Sequence, residues 1–307
     1  MTRHVAVLMG GLSAEREVSL TGGRAAVQAL EQRGYRVSPI DAGRDLCQKL
    51  ALTKPDVIYN ALHGPYGEDG TVQGMLEILG IPYSHSGVLA SALAMDKAMA
   101  KRIFEAAGLR CPESVMTTLD QLDQGDHMQP PYVVKPNREG SSVGVTIVKD
   151  EKDRLPLRND WPYGPDIMVE RYVEGRELTV SVLGSRGDDD RALGVTEVRP
   201  KQGFFDYHAK YTEGQTEHLL PAPLSPETYQ KAMDDAVLAH RALGCRGVTR
   251  ADFMLADDDP EALYLLEVNT QPGMTPISLV PEQAAHIGID FGDLVEMLVE
   301  EARCDAA

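Results

Sequence analysis

Two stretches close together late in the chain carry polar side chains two residues apart on otherwise apolar strands. "TRADFML" holds Arg250 and Asp252, and "LLEVN" holds Glu267 and Asn269. Alternate residues of a strand share a face, so each pair projects together from a surface that folding alone would keep dry. If the two strands are neighbours, one face carries an arginine, two carboxylates and an amide. Two carboxylates about 4 Å apart repel by roughly 4 kcal/mol at an effective dielectric near 20, and a core gains nothing from that. A divalent cation removes the repulsion, and an all-oxygen ligand set suits Mg²⁺ shared with phosphate oxygens rather than Zn²⁺. The competing reading is a chance pair of polar residues on edge strands. The "QPGMT" turn that follows weighs against it, because Gly273 lets a backbone N–H approach a ligand closely.

Phosphate-binding signals are mixed. No Gly-Lys dipeptide exists, so a Walker loop is absent. "MGGLSAE" follows the first strand without forming G-x-G-x-x-G, and Asp41 alone does not make a Rossmann dehydrogenase. "EGSSVG" contains the G-x-S-x-G spacing of a hydrolase, but it lies between two strands, whereas that elbow needs a strand and a helix. The same loop reads equally as a hairpin turn or as a glycine/serine loop wrapping a polyphosphate, with Lys135 upstream as counter-charge. Glu170 and Glu177 flank a turn at Gly175, as solvated carboxylates or beside a nucleotide's base and ribose. His63 follows a parallel strand at its C-terminal end, where open α/β sheets place ligands. The eight histidines form no zinc motif.

The elements that must position these residues come in two grammars. "HVAVLMG", "YRVSPID", "PDVIYNAL" and "IPYSHS" read as strands separated by helices, which predicts a parallel sheet. One helix is expected from Val88 to Ala107, with Met99 on its buried period. From about Cys111, "YVVKP", "VGVTIVK", "DIMVERYV" and "ELTVSVLG" are joined by short turns, so an antiparallel sheet is expected. The aromatic, aperiodic segment after "ALGVTEVRP" suits a functional lid over residues 202–215. A helix from Pro226 to Leu243, the two polar strands and a helix from Phe291 to Ala302 complete the chain.

Length and composition bound the rest. The 307 residues suffice for two or three domains. A formal net charge of -17 argues against a general nucleic-acid or anionic-membrane binder. No apolar run approaches the roughly 18 residues of a membrane span. The four dispersed cysteines read as the reduced thiols of a cytoplasmic protein.

Taken in series, "GGLSAEREVSL", "ALHGPYGEDGTVQGMLE", "MDK", "VVKPNREGSSVG", "DYHAKY", "RADFML" and "EVNTQPGMTPISLVP" resemble the D-alanine–D-alanine ligases of the ATP-grasp superfamily, in order and approximate spacing over nearly the whole chain. The resemblance implies a mixed α/β and α+β architecture, a Rossmann-like parallel domain (1–95) before two ATP-grasp subdomains with antiparallel sheets (96–180 and 181–307). It implies that Lys97, Lys135 and Ser142 hold ATP phosphates, and that Glu170, Tyr172, Val173 and Glu177 line the adenine and ribose site. Asp252, Glu267 and Asn269 would bind two Mg²⁺ or Mn²⁺ ions. Glu15, helped by Ser141 and Tyr211, would hold the first D-alanine's ammonium, with His63 nearby. Arg250 and the Gly273 N–H would stabilise the oxyanion, and Lys210 and Ser278 would take the second D-alanine's carboxylate. Family members that make a depsipeptide typically lack a tyrosine where this chain has Tyr211. The implied activity is ATP-dependent formation of D-alanyl-D-alanine for peptidoglycan, by a homodimer in the cytoplasm that engages no nucleic acid or membrane.

Overall fold

The computed structural model describes residues 2–122, 124, 127–140, 143–154, 161–184, 189–200, 216–259 and 261–305. Its first sheet is parallel, with β1 (His4–Met9) between β2 (Arg36–Asp41) and β3 (Val57–Asn60). The unbroken apolar run of β1 is explained by burial on both faces. Val5 and Val7 pack with Ala26 and Leu30 of α1 (Arg16–Gln32), and Ala6 and Leu8 pack with Leu50 of α2 (Leu46–Thr53) and Leu76 of α3 (Thr71–Leu79).

The fourth expected strand is only an isolated bridge. Ile58 N donates to Pro82 O and Ser84 N to Ile58 O, but Pro82 has no N–H and His85 turns to a positive φ of 69°. The long helix is also two helices, α4 (Val88–Met95) and α5 (Lys97–Ala106), broken where Asp96 is extended. Asp96 caps α5 by accepting from Met99 N at 3.1 Å, and Met99 is 40% exposed rather than core.

Two antiparallel sheets follow. The four-stranded one, in order β4-β7-β5-β6, contains β4 (Ser114–Thr117), β5 (Tyr132–Pro136), β6 (Thr146–Val148) and β7 (Ile167–Arg171), with short helices α6 (Leu119–Leu122) and α7 (Glu151–Arg154). The five-stranded one, in order β10-β9-β8-β11-β12, contains β8 (Gly175–Gly184), β9 (Arg191–Pro200), β10 (Thr216–Leu219), β11 (Gly247–Ala256) and β12 (Leu263–Asn269). The parallel-then-antiparallel order agrees with the sequence reading. Helix α8 (Pro226–Ala242), capped by Ser225, covers one face of this sheet through Ala232, Ala236 and Ala239. Two further helices end the chain, α9 (Leu279–His286), which the sequence reading did not anticipate, and α10 (Phe291–Glu300). Leu294 and Leu298 of α10 join the core of the first sheet, so the C-terminus closes back on the N-terminal unit.

Candidate active site

The two polar strands are neighbours. β11 and β12 pair with Arg250 opposite Asn269 and Asp252 opposite Glu267. The register then shifts, with Phe253 opposite Leu265, so Leu266 is the extra residue of a bulge. Asp252 is 6% exposed, and Arg250 grips it through Nε to Oδ1 at 2.8 Å and Nη2 to Oδ2 at 2.7 Å. Thr179, opposite Asp252 on β8, donates to the same Oδ1 at 2.6 Å. Asn269 Oδ1 accepts from Gln271 N at 2.8 Å, which shapes the turn leading to Gly273.

The two family-implied lysines come from different elements locked to each other. Asp96 accepts from Asn137 Nδ2 at 2.9 Å and Arg138 Nε at 2.9 Å, while Lys97 N donates to Asn137 O and Ala98 N to Asn137 Oδ1. This joins "MDK" to "KPN". Lys97 Nζ donates to Glu139 O at 2.5 Å and lies 3.5 Å from Glu267 Oε2. Lys135 Nζ sits 2.5 Å from Glu170 Oε1, and the other oxygen of Glu170 is held at 2.5 Å by Lys101, a residue that the sequence reading missed. Burial alone would push the Glu170 carboxyl up, but the two ammonium groups hold it below the usual carboxylate range. Lys101 is pushed down by its own burial in spite of this partner.

Between the two antiparallel sheets lies a cavity of about 500 Å³, lined by Lys97, Lys135, Glu170, Tyr172, Val173, Glu177, Asp252 and Glu267 among others. A smaller cavity of about 70 Å³ adjoins it, and Lys97, Arg250, Glu267, Asn269, Gly273 and Ser278 face it. Lys97 and Glu267 line both, so they stand where the two spaces meet. Ser278 precedes α9 and accepts from Thr275 N at 2.9 Å. The orphan N–H groups of that helix start therefore lie beside the small cavity, a setting that favours an anion.

The first sheet contributes the opposite wall. Glu15, just ahead of α1, is 6% exposed, and its Oε2 lies within 3.2 Å of where a Cβ on Gly140 would stand. Glu68 Oε1 is 3.3 Å from the same point, so any side chain at Gly140 would crowd two carboxylates. His63 is buried and its Nδ1 contacts Gln271 O at 3.0 Å, which ties the first sheet to the "QPGMT" turn; it lines a separate cavity with Leu12 and Tyr66. Burial pushes its imidazole down, against the pull of Glu15. Gln271 Nε2 also donates to Asn60 O at 2.6 Å, 211 residues away.

Glu68 was not read from the sequence, although an acid within a glycine-rich turn was the available signal. It accepts from Gly64 N at 2.9 Å, and burial together with Glu15 pushes its carboxyl up to about 8. An unfolded chain would titrate it near 4.5, so the folded state binds the proton more tightly. The stability attached to this group is complete below pH 4.5 and lost as pH rises toward 8. Glu68→Gln removes that loss. Its melting temperature should gain on the wild type by about 3 °C or more between pH 5 and pH 8, and an equal difference at both pH values would contradict the assignment.

Ser141, Ser142, Lys210, Tyr211 and the lid segment 202–215 lie outside the described residues. Of the described residues flanking it, Thr216 pairs with Pro200 at the edge of the sheet. Among the described residues no three His, Cys, Asp or Glu side chains gather as a metal site. Two carboxylates and an amide oxygen around one rung still fit Mg²⁺, a hard ion that keeps several waters and shares its shell with substrate phosphates.

Comparison with known proteins matches this arrangement to one family. The family models of the D-ala D-ala ligase N-terminus and C-terminus match residues 42–86 and 103–300. The chain is 54% identical over 306 residues to the D-alanine–D-alanine ligase of Sinorhizobium fredii, covering 98% of both, and 56% identical over 310 residues to that of Agrobacterium fabrum, again covering 98% of both. A crystal structure of the Bacillus anthracis D-alanine–D-alanine ligase complexed with ATP superposes with a TM-score of 0.81 at 35% identity, over 98% of this chain and 97% of that one. The VanG D-Ala:D-Ser ligase of Enterococcus faecalis gives 0.81 at 28% identity, over 98% and 99%. With both halves matched by its models and its full length by its members, the chain belongs to the D-alanine–D-alanine ligase family.

Proposed function

We infer that this chain is an ATP-dependent ligase that joins two D-alanines through an acyl phosphate, releasing ADP and phosphate, and so supplies D-alanyl-D-alanine for peptidoglycan. The observation that carries this reading is the meeting of a nucleotide-sized cleft with a small polar cavity at Lys97 and Glu267. ATP lies in the cleft, its adenine and ribose against Glu170, Tyr172, Val173 and Glu177. The two amino acids lie in the small cavity and against Glu15.

A carboxylate is a poor acyl donor, so it must first take the γ-phosphoryl group. That step needs positioning and charge neutralisation more than covalent chemistry. Lys97 and Lys135 supply positive charge, and Asp252, Glu267 and Asn269 would hold two Mg²⁺ or Mn²⁺ ions that neutralise the phosphates when bound. Glu15 holds the first D-alanine's ammonium and aims its carboxylate. The second D-alanine presents its carboxylate to Ser278, the start of α9 and Lys210, which leaves its amine to attack the acyl carbon. Arg250 and the Gly273 N–H then steady the oxyanion. Ser141 and Tyr211 would help Glu15 hold that ammonium, and a lid over 202–215 would exclude the water that hydrolyses the acyl phosphate.

We propose a division of the chain into three domains, residues 1–95, 96–180 and 181–307. Residence in the cytoplasm fits four cysteines that are all free, and no described helix is long and apolar enough to cross a membrane. A homodimer is proposed from the family resemblance, with Ile78 on α3 and Leu89 on α4, 89% and 68% exposed, as the contacts to test. Light scattering should report a dimer for the wild type and a monomer for Ile78→Asp; a wild-type monomer at micromolar concentration would refute it.

The similarity to a D-Ala:D-Ser ligase makes the second amino acid the open choice. Phosphate release measured against a panel of D- and L-amino acids should be strongest with D-alanine alone. Strong turnover of an L-amino acid with none of D-alanine would overturn the reading.

A further inference from the structure

Lys101 is a buried lysine to which the reaction assigns no part. It lies four residues after Lys97 on α5, is 3% exposed, and donates to Pro112 O and to Glu170 Oε2, each at 2.5 Å. Glu170 is equally buried at 3%, and its other oxygen is taken by Lys135. In the strand register Val133 stands opposite Glu170 and Lys135 is two residues further on, so the lysine is the diagonal neighbour of the carboxylate on one face of the sheet. The two lysines differ in their freedom. Lys135 lines the large cavity, whereas Lys101 does not and is tethered to the backbone carbonyl of Pro112.

We propose that Lys101 is a positioning residue that selects the purine base, acting as the permanent counter-ion of Glu170 while Lys135 leaves for the nucleotide's phosphates. The inference rests on the ATP-site reading above. A base amine that approaches Glu170 meets a carboxylate whose two oxygens each carry a lysine. When a triphosphate enters, Lys135 is the one that can turn to it. The carboxylate and Lys101 then remain as a neutral, fully buried pair. Glu170 stays ionised and accepts only, so it takes a hydrogen bond from the exocyclic amine of adenine and repels the keto oxygen of guanine. Without Lys101, the departure of Lys135 would strand a buried anion. The carboxyl would then either keep Lys135 from the phosphates or take a proton, and a protonated carboxyl donates to a keto oxygen.

The test is equilibrium binding of ATP and of GTP to the full chain without amino acid, alongside steady-state kinetics. Lys101→Met should weaken ATP binding by about tenfold or more and lower the ATP-over-GTP preference by about tenfold or more, with KM for D-alanine within about threefold of wild type. Lys101→Arg, which keeps the charge, should hold the preference within about threefold of wild type. An unchanged preference in Lys101→Met, equal losses in the Met and Arg variants, or matching rises in KM for ATP and D-alanine would overturn the proposal. If Lys101→Met shows no folding transition, Lys101→Gln in a Glu170→Gln background, which removes both charges of the pair together, is read instead. There the preference should match that of Glu170→Gln alone, and a further change of about tenfold would count against Lys101. A wild type that binds no nucleotide would instead overturn the site reading itself.

Discussion

Glu267→Gln should cut kcat by roughly 10³-fold or more while the protein stays folded, because it removes several kcal/mol of charge stabilisation at the reacting phosphate. The residue stands directly opposite Asp252, lies 3.5 Å from Lys97 and borders both cavities. Its side chain is 28% exposed, so it contributes little to the core. Glutamine keeps the size and removes the charge, which also relieves repulsion with Asp252. That relief offsets the lost attraction to Lys97, so the thermal midpoint should stay near the wild type's while turnover disappears. A loss of activity without a loss of stability marks a residue retained for chemistry. Near-normal turnover in this variant, with ATP and Mg²⁺ saturating, would refute the metal assignment.

Arg250→Lys is the second large effect, with a loss of about 10²–10³-fold in kcat and a much smaller change in KM for ATP. The guanidinium grips Asp252 through two parallel bonds at 2.8 and 2.7 Å and also faces the small cavity proposed for the amino acids. On the proposed mechanism one planar group would both orient a metal ligand and border the developing oxyanion, a double duty that a lysine's single ammonium cannot match. Removing the charge altogether is a different experiment. Arg250→Met would leave Asp252, 6% exposed, with Thr179 as its partner on β8, at a cost of about 3–5 kcal/mol in stability. Kinetics of the lysine variant and melting of the methionine variant together separate the catalytic part of Arg250 from its structural part. Unchanged kcat in Arg250→Lys would remove Arg250 from the reaction.

What the sequence made legible was local. The spacing of Arg250 with Asp252 and of Glu267 with Asn269 announced one polar face, since residues two apart share a strand face on either side of the bulge and both runs are otherwise apolar. The doubly buried β1 was readable for the same reason. The helix break at Asp96 was not, because "LASALAMDKAMAKRIF" is helix-favouring on both sides and the break is set by Asn137 and Arg138 from a distant turn. Pairing with β3 likewise stops after one rung at "IPYSHS", where a proline and a positive φ intervene. Lys101 and Glu68 escaped notice because their meaning depends on partners. Lys101 finds Glu170 69 residues later, and Glu68 gains its proton affinity from burial beside Glu15. Gln271 reads as a turn residue until its bonds to Asn60 are seen. Long-range partners have no local signature, and the resemblance to a family supplied roles only at positions its motifs cover.

The acyl phosphate is the central claim, and the fate of one oxygen tests it most directly. If the first D-alanine's carboxylate attacks the γ-phosphorus, one of its oxygens becomes the bridge to phosphorus. Attack of the second amine on the acyl carbon then expels phosphate that carries this oxygen. With D-alanine labelled by ¹⁸O in its carboxylate, mass spectrometry of the released phosphate should show one labelled oxygen for each dipeptide formed. Unlabelled phosphate, released in step with dipeptide, would contradict the account.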